Sequence, residues 1–263
     1  MGAALSPCSG CLGSQHREST RVSLRNSIAK RTPSTLYRED SGPLLRLDKV
    51  HIPSPQEQLV ICIDEKAELF YEIASAPASA DPALELVIER NECKVYSKTT
   101  KDGFVLRSEW TAAFPPKVYL DFLCDIQLRK AWDTHLAQVD LVEQLTADVT
   151  VYYQAYHRVL TIAGRDLVLA CKKFCRAGAW VDACCSVELP ACPLKDNFIR
   201  ANVALGGYFI EEADQGCRVV CYTEGSLGGA LPQALVKKFS AINVPRFVHT
   251  VAQSLHSHLG TKT

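Results

Sequence analysis

The chain has 263 residues, of which 47% are hydrophobic and 22% are charged, and its formal net charge at pH 7 is zero. This length and composition are typical of one large globular domain with a substantial core and an additional tail. Neutral overall charge does not favour nucleic acid as a partner, because proteins that bind it carry a basic field.

Two further properties bear on the cellular location. No apolar run approaches the ~20 residues of a membrane-spanning helix, and the N-terminus lacks the apolar region of a secretory signal. We therefore expect a cytoplasmic protein. Its cysteines are expected to be free thiols in that reducing compartment.

The first residues, MGAALSPCSGCLGS, match a lipidation pattern. Removal of Met1 exposes Gly2, and Ser6 stands where the myristoylation pattern M-G-x-x-x-[ST] requires a hydroxyl residue. Cys8 and Cys11 are candidates for palmitoylation, since stable anchoring requires a second signal. Basic residues that favour an anionic membrane surface follow, namely Arg17, Arg21, Arg25, Lys30 and Arg31. The pattern predicts a peripheral membrane location; an ordinary disordered tail and a CxxC zinc or redox site are the alternatives.

Residues 1–53 are polar and rich in serine and arginine, and they show no sustained apolar period. We predict a flexible tether here. The folded domain is predicted to cover residues 54–263. It begins with a helix, for which Ser54 is a candidate N-cap and Pro55 suits the first turn.

Short β-prone runs separated by turn residues follow this helix. Three of them, LELVIER, CKVYSK and FVLRSEWTAA, predict an antiparallel meander. The next run, KVYLDFLCDIQLRKAW, predicts a helix that covers the sheet. Six more strand-like runs lie between residues 137 and 225, so the pattern predicts about nine strands.

The last segment carries apolar residues at helical spacing and predicts one long amphipathic helix, kinked at Pro245. We expect one apolar stripe that faces the sheet, formed by Leu231, Leu235, Phe239, Ile242, Val244, Phe247, Val248, Val251 and Leu255. A large antiparallel sheet that curls around such a helix can enclose a cavity, because alternate side chains of each strand point inward. The predicted fold class is α+β.

Several motifs, in order along residues 54–260, resemble the START lipid-transfer family and, within it, the ceramide-binding members. They are Arg129-x-x-Trp132-Asp133, Gln154-Ala155-Tyr156-His157-Arg158-Val159, Arg165-Asp166, Asn197-Phe198-Ile199-Arg200-Ala201, Gly228-Gly229-Ala230-Leu231-Pro232 and Pro245-Arg246-Phe247. The resemblance implies a helix-grip fold that holds one lipid in a tunnel beneath the C-terminal helix. It implies neither catalysis nor a cofactor.

The same resemblance implies three positions for contacts to the lipid head group. They fall on Asp133, Gln154 and Cys184. Cys184 stands where ceramide-binding relatives have an asparagine, and a thiol is a weaker donor and acceptor than an amide. The ligand is therefore left open between a ceramide-like lipid and a phospholipid such as phosphatidylcholine.

Other residues are candidates for the cavity wall and for membrane contact. Tyr152, Gln154 and Tyr156 share one face of their strand, so both tyrosines should line the cavity if Gln154 does. Trp110 together with Tyr152 could surround the quaternary ammonium of phosphatidylcholine. Leu160 and Ile162 form an apolar loop tip that is a candidate for membrane contact.

The function predicted is non-catalytic binding and intracellular transfer of one lipid by a monomer tethered to a membrane. A membrane-anchored lipid sensor or interaction module is the first alternative. A lipid-acting hydrolase is the second, although Gly225-Ser226-Leu227-Gly228 lacks the spacing of a G-x-S-x-G nucleophile elbow. Arg158 and Arg165 with Asp166 could form a structural ion pair or guide an anionic head group.

Overall fold

The computed structural model describes residues 53–90, 92–159, 162–229 and 233–260. The predicted lipidation sites Gly2, Cys8 and Cys11 and the loop residue Leu160 lie outside these residues. The tether predicted for residues 1–53 lies outside them too, apart from Pro53. These remain predictions.

The described residues form four α-helices and ten β-strands. The helices are α1 (Pro55–Ser75), α2 (Pro116–Cys124), α3 (Ile126–Trp132) and α4 (Gln233–Gly260). The strands are β1 (Glu85–Arg90), β2 (Cys93–Thr99), β3 (Phe104–Ala112), β4 (Leu136–Gln144), β5 (Val149–Tyr156), β6 (Gly164–Arg176), β7 (Ala179–Ser186), β8 (Phe198–Arg200), β9 (Asn202–Ala213) and β10 (Gly216–Ser226).

Two predicted elements are each divided in the structure. The run that begins at Phe198 gives the short strand β8 and then β9, so there is one strand more than predicted. The helix predicted from Lys117 to Trp132 is two helices, which part at Asp125. The Asp125 carboxylate accepts hydrogen bonds from the Gln127 and Leu128 amides and thereby caps α3.

The start of α1 agrees with the sequence prediction. Ser54 Oγ accepts a hydrogen bond from the Glu57 amide at 3.2 Å, and the Glu57 carboxylate accepts one from the Ser54 amide at 2.7 Å. This is a capping box, with Pro55 at the first helical position. The helix buries Ile63, Ala67, Phe70 and Ala74.

The strands form one open antiparallel sheet in the order β1-β2-β3-β10-β9-β7-β6-β5-β4, with β8 added in parallel to β6. One face packs against α1, with core residues such as Phe70, Val181 and Phe209. The other face, which we call the inner face, packs against α2 and α4 through a second core that includes Trp110, Ile210 and Val251. The C-terminal helix therefore covers the inner face, as predicted.

The orientation of α4 differs from the prediction in its first half. Val251 and Leu255 are buried against the sheet as expected, but Leu235, Phe239 and Ile242 are 38, 38 and 44% exposed. At about 100° per residue, these three lie on the side of the helix opposite Val251 and Leu255. The apolar residues thus form two stripes on opposite faces, and the expectation of a single stripe is wrong.

Among the described residues, no helix has both the length and the apolar character needed to cross a membrane.

Candidate functional site

Strand β5 directs its alternate side chains to opposite faces of the sheet. Tyr153 belongs to the core on the α1 face, together with Ile63 and Val151. Tyr152, Gln154 and Tyr156 occupy the other set of alternate positions and therefore point to the inner face. The structure thus places these three predicted residues on the side of the sheet that α4 covers.

Four residues at this end of the inner face form a buried network, which we call the arginine network. The Arg129 guanidinium donates from Nε to Asp133 Oδ2 at 3.2 Å and from Nη2 to the Tyr156 hydroxyl at 3.0 Å. That hydroxyl donates to Gln154 Oε1 at 2.8 Å. Two predicted head-group residues, Asp133 and Gln154, are therefore joined through Arg129 and Tyr156.

The arginine network has two donor groups that are not engaged among the described residues. Both Asp133 oxygens are engaged, because Oδ1 also accepts from the His135 amide at 3.1 Å. The Gln154 Nε2 and Arg129 Nη1 groups donate to no other described residue. A molecule that lies beside them would be held through its own acceptor atoms.

A second polar group depends on the hairpin between β6 and β7. Its two turn residues, Ala177 and Gly178, have φ angles of 49° and 85°. Positive φ at both positions is characteristic of the tight two-residue turn that matches strand twist. The resulting register places Lys173 directly opposite Asp182, with Tyr208 of β9 on the other side of Asp182.

The Asp182 carboxylate is held on one side only. The Cys124 thiol of α2 donates to Oδ2 with the sulfur 3.1 Å away, whereas Oδ1 is buried and has no hydrogen-bond partner among the described residues. Burial raises the pKa of Asp182, and the nearby charges of Lys173 and Arg129 lower it. We call Cys124, Lys173, Asp182 and Tyr208 the Asp182 cluster.

The side chains around these two groups are enclosed and yet retain accessible surface. Burial is the largest cause of a raised pKa for each of them, and it raises the pKa of Cys221 to about 12. A ligand held in a hollow between the sheet and α4 would contact these half-buried inner-face groups. The members of this set are Cys124, Tyr152, Tyr156, Asp182, Tyr208 and Cys221.

Cys184 lies in the same region. It is half-buried and directly opposite Cys171 in the sheet, and the contact between their thiols together with burial raises the pKa of Cys171. Its position also raises the pKa of Tyr156 slightly, after the larger effect of burial. The structure thus brings the third predicted head-group residue close to the arginine network.

Trp110 is placed elsewhere. Its indole Nε1 donates to the Tyr119 hydroxyl at 3.0 Å, within the apolar core between the sheet and α2. In the sheet order, β3 with Trp110 and β5 with Tyr152 are separated by four strands. The strand order therefore does not support the prediction that Trp110 and Tyr152 surround a ligand together.

Of the predicted membrane loop, the structure describes Ile162. Ile162 is half-buried and exchanges two backbone hydrogen bonds with Val159. Arg165 donates to the carbonyl oxygens of Leu227 and Gly228 rather than pairing with Asp166, which binds Arg200. Two small clefts, of about 10 and 50 Å³, lie between Val236 of α4 and Phe104 at the start of β3.

Sequence reasoning missed Arg129 as a site residue and did not identify Cys124, Lys173 or Asp182. Lys173 and Asp182 could have been found from the sequence, because they are charged residues in otherwise apolar strands and a buried charge is costly without a partner. Within the described part of the chain, no group of three His, Cys, Asp or Glu side chains is arranged to hold a metal ion. The site is thus composed of hydrogen-bonding groups around an otherwise apolar interior.

An antiparallel sheet covered by helices, with polar groups among the apolar side chains of its inner face, can accommodate an apolar molecule that has a polar end. The model of the START domain family matches residues 68–260. The chain belongs to this family. Membership implies lipid binding and transfer as the class of function.

Individual relatives are distant. Rat acetyl-coenzyme A thioesterase is 24% identical over 151 residues, which are 56% of this chain and 27% of that protein. Human ceramide transfer protein is 22% identical over 225 residues, which are 76% of this chain and 35% of that protein. The chain thus spans about a quarter to a third of these curated relatives.

The fold itself is found in solved structures. Human StAR-related lipid transfer protein 5 superposes with a TM-score of 0.70 at 20% identity, over 77% of this chain and 99% of that chain. At this level of identity the likeness concerns the fold alone.

Proposed function

We propose that this domain binds one lipid in the hollow between the inner face of the sheet and α4 and transfers it between membranes. The observation that carries the proposal is the enclosed set of polar side chains with unused hydrogen-bonding capacity inside an apolar interior. Polar groups in such a position are costly unless a partner satisfies them. A lipid is such a partner, because its head group can hydrogen-bond to these side chains while its acyl chains fill the apolar space beside them.

The arginine network is the proposed site for the head group. Arg129 Nη1 and Gln154 Nε2 would donate to an acceptor of the lipid, and Asp133 would position Arg129 through their salt bridge. Tyr156 would fix the orientation of Gln154. Cys184 would add only a weak contact, because a thiol is a poor donor and acceptor.

The lipid tails would enter the apolar inner core, whose side chains pack against each other and would move apart to admit them. That core is formed by residues of the sheet and of α4, including Ile210, Val219, Val251 and Leu255. Each buried methylene is worth about 0.8 kcal/mol, so a carrier must cover nearly all of the chain surface that leaves the membrane. Tyr152 would line the same hollow from β5, and Trp110 would form part of its apolar floor.

The outer face of α4 is the proposed membrane contact. Leu235, Phe239 and Ile242 are exposed there, with the exposed cations Lys238 and Arg246 on the same side of the helix. Apolar side chains flanked by cations are typical of helices that lie on anionic membrane surfaces. The loop of Leu160 and Ile162 would be a further membrane contact.

A second proposal concerns the N-terminal tail. Myristoylation of Gly2 and palmitoylation of Cys8 and Cys11 would keep the domain at its membrane, so that loading and unloading occur at high effective concentration. Full-length protein from cells that acylate proteins should carry the added acyl mass and remain with membranes. Gly2→Ala should release it to the soluble fraction, and an unchanged distribution would contradict this anchor.

Native mass spectrometry of the full chain after incubation with mixed-lipid vesicles tests the lipid-binding proposal. We expect one lipid per chain and release of the intact lipid on denaturation, because no bond of the lipid is made or broken. An empty protein would contradict the proposal. Release of a shortened or hydrolysed lipid would instead favour a hydrolase, and tight binding without movement of lipid between vesicles would favour a sensor.

A further inference from the structure

We infer that Asp182 is a second contact to the bound lipid and accepts a hydrogen bond from a donor on its head group. The ligand class that this selects is a neutral lipid with a free hydroxyl or amide N–H. The inference rests on the proposed function, since it requires a lipid in the hollow. It adds a residue that the arginine network does not contain.

The geometry of Asp182 leaves one oxygen for a ligand. The Cys124 thiol holds Oδ2 from the direction of α2, at 3.1 Å. Oδ1 is buried and unpaired among the described residues, although the surrounding side chains of the Asp182 cluster remain partly accessible. An enclosed acceptor without a partner is rare in folded proteins, and a ligand donor is one physical explanation for it.

The backbone around Asp182 is fixed from both sides. Asp182 pairs with Lys173 of β6 and with Tyr208 of β9. The next residue of β9, Gly207, has a φ of 142°, and a Cβ there would lie 2.0 Å from the Asp182 carbonyl oxygen. This close approach of the two backbones requires glycine and fixes the position of the Asp182 backbone.

The local charges select the type of ligand. Lys173 faces Asp182 across the strand pair without forming a salt bridge. Burial raises the pKa of Asp182, and the charges of Lys173 and Arg129 oppose that rise and favour the ionised carboxylate. An ionised carboxylate accepts hydrogen bonds and repels a phosphate placed against it. A hydroxyl or amide N–H therefore suits this position better than an anionic group.

The two polar groups complement each other. The arginine network offers donors, through Arg129 and Gln154, and Asp182 offers an acceptor. They lie on the same face of the sheet, because Gln154 pairs with Leu167 and Asp182 with Lys173, and Leu167 and Lys173 share one face of β6. A head group with an acceptor and a donor on neighbouring atoms, such as a hydroxylated amide, would satisfy both.

The test compares two lipid probes on the full chain. One is a long-chain amide lipid with free hydroxyls, and the other is the same lipid with its hydroxyls methylated. Native mass spectrometry after incubation with vesicles of each composition gives the relative binding. Wild-type protein should prefer the free hydroxyl lipid, by about tenfold or more for a hydrogen bond to a charged acceptor.

Asp182→Asn should lower this preference about tenfold, and Asp182→Leu should do the same if the asparagine variant folds poorly. Asp214→Asn, at an exposed turn acid, is the matched control and should retain it. Unchanged preference in a folded Asp182 variant would overturn the inference while leaving lipid binding intact. Failure of the wild-type protein to bind either lipid would overturn the proposed function as well.

Discussion

Arg129 and Asp133 lie one helical turn apart and form a buried salt bridge, with Nε 3.2 Å from Oδ2. The Arg129 side chain is 17% exposed and the Asp133 side chain 5%. Burial lowers the pKa of Arg129, but its neighbours Tyr156, Tyr208 and Asp133 raise it further, so the guanidinium stays charged. A permanent cation is thus fixed inside the domain by an acid of the same short helix.

The first prediction concerns the stability of this pair. Asp133→Asn and Arg129→Gln should each lower the free energy of unfolding by about 3 kcal/mol, because each leaves an uncompensated buried charge. The double variant should lose at least about 1 kcal/mol less than the sum of the two. Denaturant unfolding of the four proteins measures this coupling. Strict additivity would show that the two charges do not support each other.

The second prediction separates the two faces of β5. Gln154→Leu should abolish binding of the lipid carried by wild-type protein, because it removes the Nε2 donor from the hollow, and should leave the fold intact. Tyr153→Phe is the control on the opposite face, where the hydroxyl donates to Asp166. It should change stability by about 1 kcal/mol without affecting lipid binding. Equal lipid occupancy in both variants would place the ligand elsewhere.

The third prediction concerns the outer face of α4. Replacing Leu235, Phe239 and Ile242 together with serine should weaken binding to anionic vesicles at least tenfold, since each side chain contributes about 1 kcal/mol on burial. Replacement of the exposed α1 residues Ile61 and Leu69 with serine is the control. Vesicle flotation measures both. Loss of binding in the α1 control alone would assign the membrane contact to the other side of the domain.

The fourth prediction concerns stability without ligand. Because burial raises the pKa of Asp182, the native state binds the proton of this carboxyl more tightly than the unfolded chain does, and its ionisation at neutral pH costs stability. The contribution of the protonated carboxyl to the free energy of unfolding is fully present below the pKa of the unfolded state and is lost as the pH rises through the pKa of the native state. Asp182→Asn does not titrate and should therefore melt about 2–4 °C above the wild type at neutral pH. The difference should shrink near pH 4, and a difference independent of pH would contradict the assignment.

Local signals predicted the parts of the fold that depend on few residues. Ser54 and Pro55 predicted the start of α1, and the structure adds Glu57, which completes a capping box within one turn. The inner-face positions of Tyr152, Gln154 and Tyr156 follow from strand alternation alone. The family resemblance added the role of these residues, which alternation does not supply.

The remaining features depend on contacts distant in sequence. Lys173 meets Asp182 only if β6 and β7 join through a two-residue turn, and Ala177 at positive φ gives no turn signal of its own. The thiol of Cys124 reaches Asp182 from another element, 58 residues away. In α4, the apolar pattern could not distinguish residues that pack on the sheet from those left exposed, since both faces carry large apolar side chains.

The most direct test of the account is the location of the lipid itself. Full-length protein would be loaded with a lipid that carries a photoreactive group in its acyl chain, irradiated, digested and mapped by mass spectrometry. We expect crosslinks to inner-face positions such as Val219 and Ile210 and to the buried side of α4 at Val251. Crosslinks confined to α1 or to the outer face of α4 would contradict a lipid held inside the domain.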